Sequence, residues 1–154
     1  MESEDAVEQL RHSLRDADRA EAAPWTDYPP TPRWYPPATG VWAALLTLAI
    51  GGLDDGTRVA AILSLVVVEC CFLGWYVRYR GGVMPTGPAP REFTRAITVF
   101  VAALVVIVVG VVAVAAVLGV WAGAALALVG VTGVVAWYER AYAAASDRTR
   151  KRLA

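Results

Sequence analysis

Glu69 is the residue most suited by its position to a chemical role, because its acidic side chain lies near the middle of the apolar segment Val59–Val77. A charged side chain at the centre of a bilayer costs about 2.5–3.5 kcal/mol on insertion scales. Desolvation disfavours the charged form, and no Lys, Arg or His lies in an apolar segment, so we expect a protonated acid. Such a group can exchange a proton or meet a cationic substrate in an aqueous crevice; it can also be a neutral acid bonded to a neighbour.

Three further polar side chains are candidates to hydrogen-bond this acid. By counting residues from the segment ends, Trp42 and Thr132 lie at a similar depth, and Thr47 lies somewhat further outward. Together with Glu69 they form the candidate intramembrane proton or cation site. The apolar segments lack His and Asp and show no catalytic or metal-ligand constellation, so we expect no enzyme activity, cofactor or metal.

Three apolar stretches must position these residues: Trp34–Leu53, Val59–Val77 and Ala96–Tyr138. A helical span needs about 17–25 residues, so the first two stretches fit one span each. As a single helix the third would be roughly 65 Å long, so it must fold back, with a turn around Leu118–Gly123. The sequence predicts an all-α, integral membrane, four-transmembrane-helix bundle with a short N-terminal cytoplasmic amphipathic helix. The predicted spans are 37–53, 59–77, 96–118 and 121–138.

Charge distribution predicts the orientation of this bundle. Of the 14 basic residues, 13 fall on one side of the four-span arrangement, and the positive-inside bias makes that side cytoplasmic. Both termini are therefore expected in the cytoplasm of a plasma-membrane protein. The acidic N-terminal region is unlike a signal peptide, so we expect the first span to be an anchor.

The regions outside the spans divide the chain into 1–35, the membrane domain 36–140 and a basic tail 141–154. Residues 3–20 are predicted to form a short helix with an apolar stripe of Val7, Leu10, Leu14 and Ala17. Such a short helix needs a surface to pack on, which can be a partner, the bilayer or the protein's own basic face. The alternative is a frayed acidic tail. The proline-rich segment 24–37 is expected to be extended, as an interfacial anchor or a docking ligand. The loop 78–95 is expected to be irregular. The basic loop and tail are expected to contact anionic lipid headgroups rather than nucleic acid.

Small residues predict tight packing of the third and fourth spans. Helices in lipid associate through close backbone approach, which small side chains permit. The predicted seam consists of Gly123, Ala127 and Gly130 on the fourth span, facing Gly110, Ala113 and Ala116 on the third.

With 13 Arg to one Lys, spans built of Ala, Val and Gly, and the segment PPTPRWYPP, the chain resembles small four-span membrane proteins of actinobacteria that have no known activity. This resemblance implies a bacterial plasma membrane location. In its lone membrane carboxylate the chain is also similar to small multidrug-resistance exporters, although its acid lies in the second span rather than the first. Two functions follow as hypotheses: a non-catalytic accessory or interaction subunit that binds a membrane protein or another copy, or a small oligomeric proton-coupled transporter using Glu69.

Overall fold

A computed structural model describes residues 2–27, 31–79 and 89–153, and all regular structure in these ranges is helical. The helices are α1 (Glu2–Thr26), α2 (Tyr35–Gly52), α3 (Asp55–Tyr79), α4 (Arg91–Leu118) and α5 (Val120–Leu153). The all-α class is confirmed. Helices α3, α4 and α5 are long and apolar enough to cross a membrane.

Several boundaries differ from the predictions, and the largest differences lie outside the apolar segments. Helix α1 continues past Ala20 to Thr26 and includes Pro24, so the start of the segment predicted as extended is helical. Pro36 and Pro37 lie in the first turn of α2, where a missing N–H group disrupts no intrahelical bond. The tail 141–154 is also helical as far as Leu153, because α5 continues without a break. Residues 28–30 and 80–88, parts of the predicted proline segment and loop, lie outside the described residues.

The turn between α4 and α5 is a single residue, Gly119, inside the predicted interval Leu118–Gly123. Its φ of 95° lies in the left-handed region, which favours glycine. Its N–H group donates to the Ala115 carbonyl oxygen at 3.1 Å and closes the end of α4. The two long helices are therefore antiparallel neighbours, as the predicted hairpin requires.

Helix α5 is the centre of the fold, because α1, α2 and α4 all pack on it. On the α4 side, a Cβ atom added to Gly123 would lie 2.7 Å from the Ala115 Cβ atom, and one on Gly130 would lie 3.3 Å from Ile107. The predicted seam is therefore correct on α5. On α4 it is wrong for Ala113 and Ala116, which are exposed; Ala115 occupies the contact instead.

Helix α2 crosses a different face of α5 at Gly40. A Cβ atom there would overlap the Thr132 hydroxyl oxygen and lie 2.5 Å from the Leu128 carbonyl oxygen, so only glycine permits this approach. Gly51 makes a second close contact, with Val120. The long contact between α2 and α5 did not follow from the sequence pattern.

Helix α3 is the least enclosed helix, since none of its residues is buried. It packs on the start of α2 through aromatic rings: Tyr35 stacks on Tyr76 at 5.4 Å and on Phe72 at 5.9 Å between centroids, and Trp34, just before α2, lies 5.7 Å from Trp75. These aromatic residues hold α3 to α2 over little more than one turn.

The turn before α3 is stabilised by Asp54. Its carboxylate accepts hydrogen bonds from the Thr57 hydroxyl group and, at 3.5 Å, from the Thr57 N–H group. The side-chain bond is the main reason that the pKa of Asp54 lies below its ordinary value. The residue therefore acts as an N-cap for α3.

The most completely buried side chains lie where the ends of α1, α4 and α5 meet, which we call the α1–α5 junction (Ala22, Thr26, Phe93, Ala145 and Thr149). All five of these residues are buried, and Phe93, Ala145 and Thr149 are fully enclosed. The Phe93 ring lies 4.8 Å from the Tyr142 ring and 5.6 Å from the Trp25 ring between centroids. Of the alternatives left open for the N-terminal helix, the last two turns of α1 make the contact with the chain's own basic end.

Candidate functional site

An open groove of about 800 Å³ runs between α2 and α4 and is floored by α5. It exists because α2 and α4 each pack on α5 while α3 stays at one side, attached to α2. Its walls are mostly aliphatic: Leu104, Ile107 and Val111 come from α4, and Ala127 and Val131 come from α5. The groove follows α2 from Tyr35 to Gly51 and is therefore almost as long as that helix.

Glu69 is the acidic residue that lines this groove, and it is contributed by α3. Its side chain is half-buried. In residues 31–79 and 89–153, no hydrogen bond or ion pair to its carboxyl group is formed. An acid with these surroundings is open to a proton donor, a cation or a hydrogen-bonding group that enters the groove.

The structure brings Trp42 and Thr47 to the same groove as Glu69. The Trp42 indole N–H group donates to the Leu65 carbonyl oxygen at 3.5 Å, one helical turn before Glu69. The Thr47 hydroxyl group donates to the Ala43 carbonyl oxygen at 2.8 Å, within its own helix. The donor group of each side chain is therefore already engaged in another hydrogen bond, and neither residue bonds the Glu69 carboxyl group.

Thr132 does not line the groove with the other three predicted residues. Its hydroxyl oxygen faces Gly40 at the crossing of α2 and α5, so its position is explained by packing between those helices. Depth counted from the ends of the segments placed it level with Glu69, but depth alone does not say which face of α5 a residue occupies.

Sequence reasoning missed Thr39 and the place of Tyr35 in the groove, because Tyr35 was interpreted only as an interfacial anchor. A signal for this face does exist in the sequence. The residues of α2 that line the groove recur at helical spacing: Tyr35, Thr39, Trp42, Ala43, Leu46, Thr47, Ile50 and Gly51. Polar and aromatic side chains repeating at three- and four-residue steps mark one side of a helix.

Among the described residues, no three His, Cys, Asp or Glu side chains are grouped so that they could hold a metal ion. Cys70 and Cys71 are free thiols on the exposed surface of α3. The groove offers one carboxyl group, the Thr39 and Thr47 hydroxyl groups, aromatic rings and apolar walls.

Comparisons with known protein families, with curated proteins and with solved structures find no match for this chain. The groove and the α1–α5 junction therefore have to be interpreted from their own geometry.

Proposed function

We propose that the protein is a four-span protein of the bacterial plasma membrane with its N- and C-terminal regions in the cytoplasm. Helix α2 is then the first span, ahead of α3, α4 and α5. Its 18 residues extend about 27 Å, close to the hydrocarbon thickness of roughly 30 Å. The grouping of basic residues at the α3 end, the α4 start and the α5 end supports this orientation.

Lipid headgroup contacts are proposed for the basic residues nearest the ends of the spans, Arg78, Arg95 and Arg140. The remaining basic residues of α5, at 148–152, lie about 14–20 Å along the helix beyond Glu139. Charges farther apart than about 8 Å are largely screened at physiological salt, so this part of the tail contributes little to headgroup binding.

In this membrane the protein acts as a non-catalytic interaction subunit, and the groove between α2 and α4 receives a transmembrane helix of another protein. The observation that carries the proposal is the Glu69 carboxyl group, which opens onto an apolar groove and has no hydrogen-bond partner among the described residues. Lipid chains cannot supply that bond, and an unsatisfied polar group in hydrocarbon is expensive. A partner helix with a donor at mid-depth can satisfy it.

The length of the groove also favours a helix over a compact ligand. From Tyr35 to Gly51 the α2 wall extends about 24 Å, most of the hydrocarbon thickness. A compact ligand at Glu69 would leave most of this length to lipid, whereas one ridge of a spanning helix fills it continuously.

Site-specific photo-crosslinking in native membranes tests the proposal. A photoreactive residue replacing Leu46, on the groove wall, should give an adduct with a different polypeptide, and the same residue at Val106, which is 70% exposed on α4, should not. Glu69→Gln keeps a hydrogen-bonding side chain and should retain the adduct, while Glu69→Leu should lose it. Equal adducts from both positions, an adduct that survives Glu69→Leu, or an adduct between two copies of this chain would reject the proposal.

A small oligomeric proton-coupled transporter is the second candidate, favoured by a carboxyl group that the groove keeps open. It predicts that Glu69→Gln abolishes proton-coupled flux and leaves expression intact, while Ser64→Ala on the exposed face of α3 changes neither. Flux that survives Glu69→Gln would reject this mechanism.

A further inference from the structure

The α1–α5 junction fixes the direction in which α1 leaves the bundle. The Arg19 Nε atom donates to the Leu153 carbonyl oxygen at 3.0 Å, and the Tyr142 hydroxyl group donates to the Trp25 carbonyl oxygen at 2.9 Å. Residue numbers on α1 thus rise as those on α5 fall, so the helices are antiparallel. Since Arg19 is level with Leu153, the preceding part of α1 projects past that point, by about 18 Å at Val7.

The projecting part of α1 carries an exposed apolar stripe, consisting of Val7, Leu10, Leu14 and Ala17. Val7 is 48% exposed, Leu10 is 62% exposed and Leu14 is 59% exposed. The steps of three, four and three residues place all four side chains on one face, the pattern by which paired helices contact each other. No described residue of the chain covers this stripe.

The bilayer is too distant to cover the stripe. In the proposed topology α5 leaves the membrane near Tyr138, and Glu139–Leu153 extends about 22 Å into the cytoplasm. The stripe begins beyond that distance. Its helix is also acidic, with seven Asp and Glu against three Arg in residues 2–21, so anionic headgroups would repel it.

Charge also distinguishes between the protein partners that could cover the stripe. A second copy would bring two acidic helices together at distances where salt screens them little. A basic helix would instead be attracted by the net negative charge of α1, whose residues 2–8 hold four acids and no Arg or Lys. Two heptads are too short to pair stably as free peptides, but here the last turns of α1 are already held by α5.

We infer that the α1 stripe binds a basic amphipathic helix of a cytosolic protein. The inference rests on the proposed function, because it names the cytosolic partner class of the same interaction subunit. The contact is helix against helix, with apolar anchors at its centre and attraction between helices of opposite net charge.

The test uses the full chain in nanodiscs of zwitterionic lipid and two labelled synthetic peptides. Both peptides have Leu at heptad positions a and d; one has Lys at the flanking positions and the other has Glu. Fluorescence anisotropy, corrected with empty nanodiscs, should show binding of the Lys peptide only, weakened by added salt. Leu10→Ser with Leu14→Ser should weaken this binding by at least about tenfold, since a few apolar anchors dominate such interfaces.

Gln9→Ser, on the opposite face of α1, is the matched control and should leave the affinity unchanged. Equal binding of the two peptides, no effect of the double Leu variant, or disulfide pairing between copies that carry Leu10→Cys in a Cys70→Ser, Cys71→Ser background would overturn the inference. Peptide binding that fails while the groove adduct persists rejects only the α1 contact, and the opposite result rejects only the groove.

Discussion

Substitution of Gly40 by alanine gives a direct test of the crossing between α2 and α5. The added Cβ atom would lie 2.5 Å from the Leu128 carbonyl oxygen, whereas ordinary contacts begin at 3.4 Å. Thr132 can rotate its side chain away, but Leu128 contributes a backbone atom, so α2 itself must move by about 0.9 Å. Overpacking of this kind costs roughly 1–3 kcal/mol.

Helix propensity works in the opposite direction, because alanine is favoured over glycine in a helix by about 0.5–1 kcal/mol. Gly133→Ala and Gly74→Ala isolate the steric effect, since a Cβ atom at either position meets nothing within 4 Å. We expect both controls to be neutral or slightly stabilised. Gly40→Ala should then be less stable than either of them by about 1–3 kcal/mol.

The measurement is reversible unfolding in mixed micelles with an increasing fraction of sodium dodecyl sulfate, followed by circular dichroism at helical wavelengths. The free energies of unfolding of the three variants are compared under identical conditions. If Gly40→Ala unfolds at the same detergent fraction as Gly133→Ala, then α2 does not approach α5 at this point, and the groove, whose α2 wall depends on that crossing, loses its basis.

At pH values above the ordinary carboxyl pKa, Asp54→Asn should destabilise the start of α3. Because the pKa of Asp54 is lowered in the folded state, the greater stability of the wild type should disappear as the pH falls through that lowered value. Unfolding curves of both proteins at several pH values measure this difference. An advantage that persists in acid would contradict capping by the charged form. Tyr142→Phe removes the hydrogen bond to the Trp25 carbonyl oxygen and should cost about 0.5–1.5 kcal/mol, measured as faster tryptic cleavage within α1 while the rest of the chain stays intact. Phe93→Ala empties the fully enclosed centre of the junction and should cost about 3–5 kcal/mol, so cleavage within α1 should be faster than in Tyr142→Phe; the reverse order would mean that the bond and not the ring holds α1.

The helical class and a turn within Leu118–Gly123 could be predicted because both depend on local features of the sequence. Runs of apolar residues predict helices whatever their partners are, and a glycine between two such runs has few alternative roles. The α5 side of the seam followed from small residues alone. Gly123 and Ala127 are buried as that pattern predicts.

Relative rotation of the helices could not be predicted, and the errors come from that source. Ala113, Ala115 and Ala116 are chemically the same, and a rotation of one residue step about the α4 axis decides which of them meets Gly123. The same uncertainty separated Thr132 from Glu69. Spans that are apolar on every side carry no polar face that would fix their rotation.

Helix α1 was predicted too short because Pro24 was taken as part of an extended segment. A proline near the end of a helix removes one hydrogen bond, here the one to the Ala20 carbonyl oxygen, and the α1–α5 junction stabilises the end of α1 by other bonds. Ser146 donates to the Thr26 carbonyl oxygen at 3.3 Å, and Arg150 donates to the same atom. Tertiary contacts of this kind join residues more than 100 positions apart in the sequence, so no local sequence pattern predicts them.

The distribution of packing also bears on how Glu69 would act. Buried residues concentrate on α5 and in the α1–α5 junction, while α3 has none and is attached to α2 mainly through rings at one end. Elements with few buried contacts open and move at the lowest free energy. Glu69 therefore lies on the helix with the fewest restraints, beside a groove that α3 does not fill. A partner that bonds the carboxyl group would also fix the position of α3, so binding and ordering of this helix should occur together.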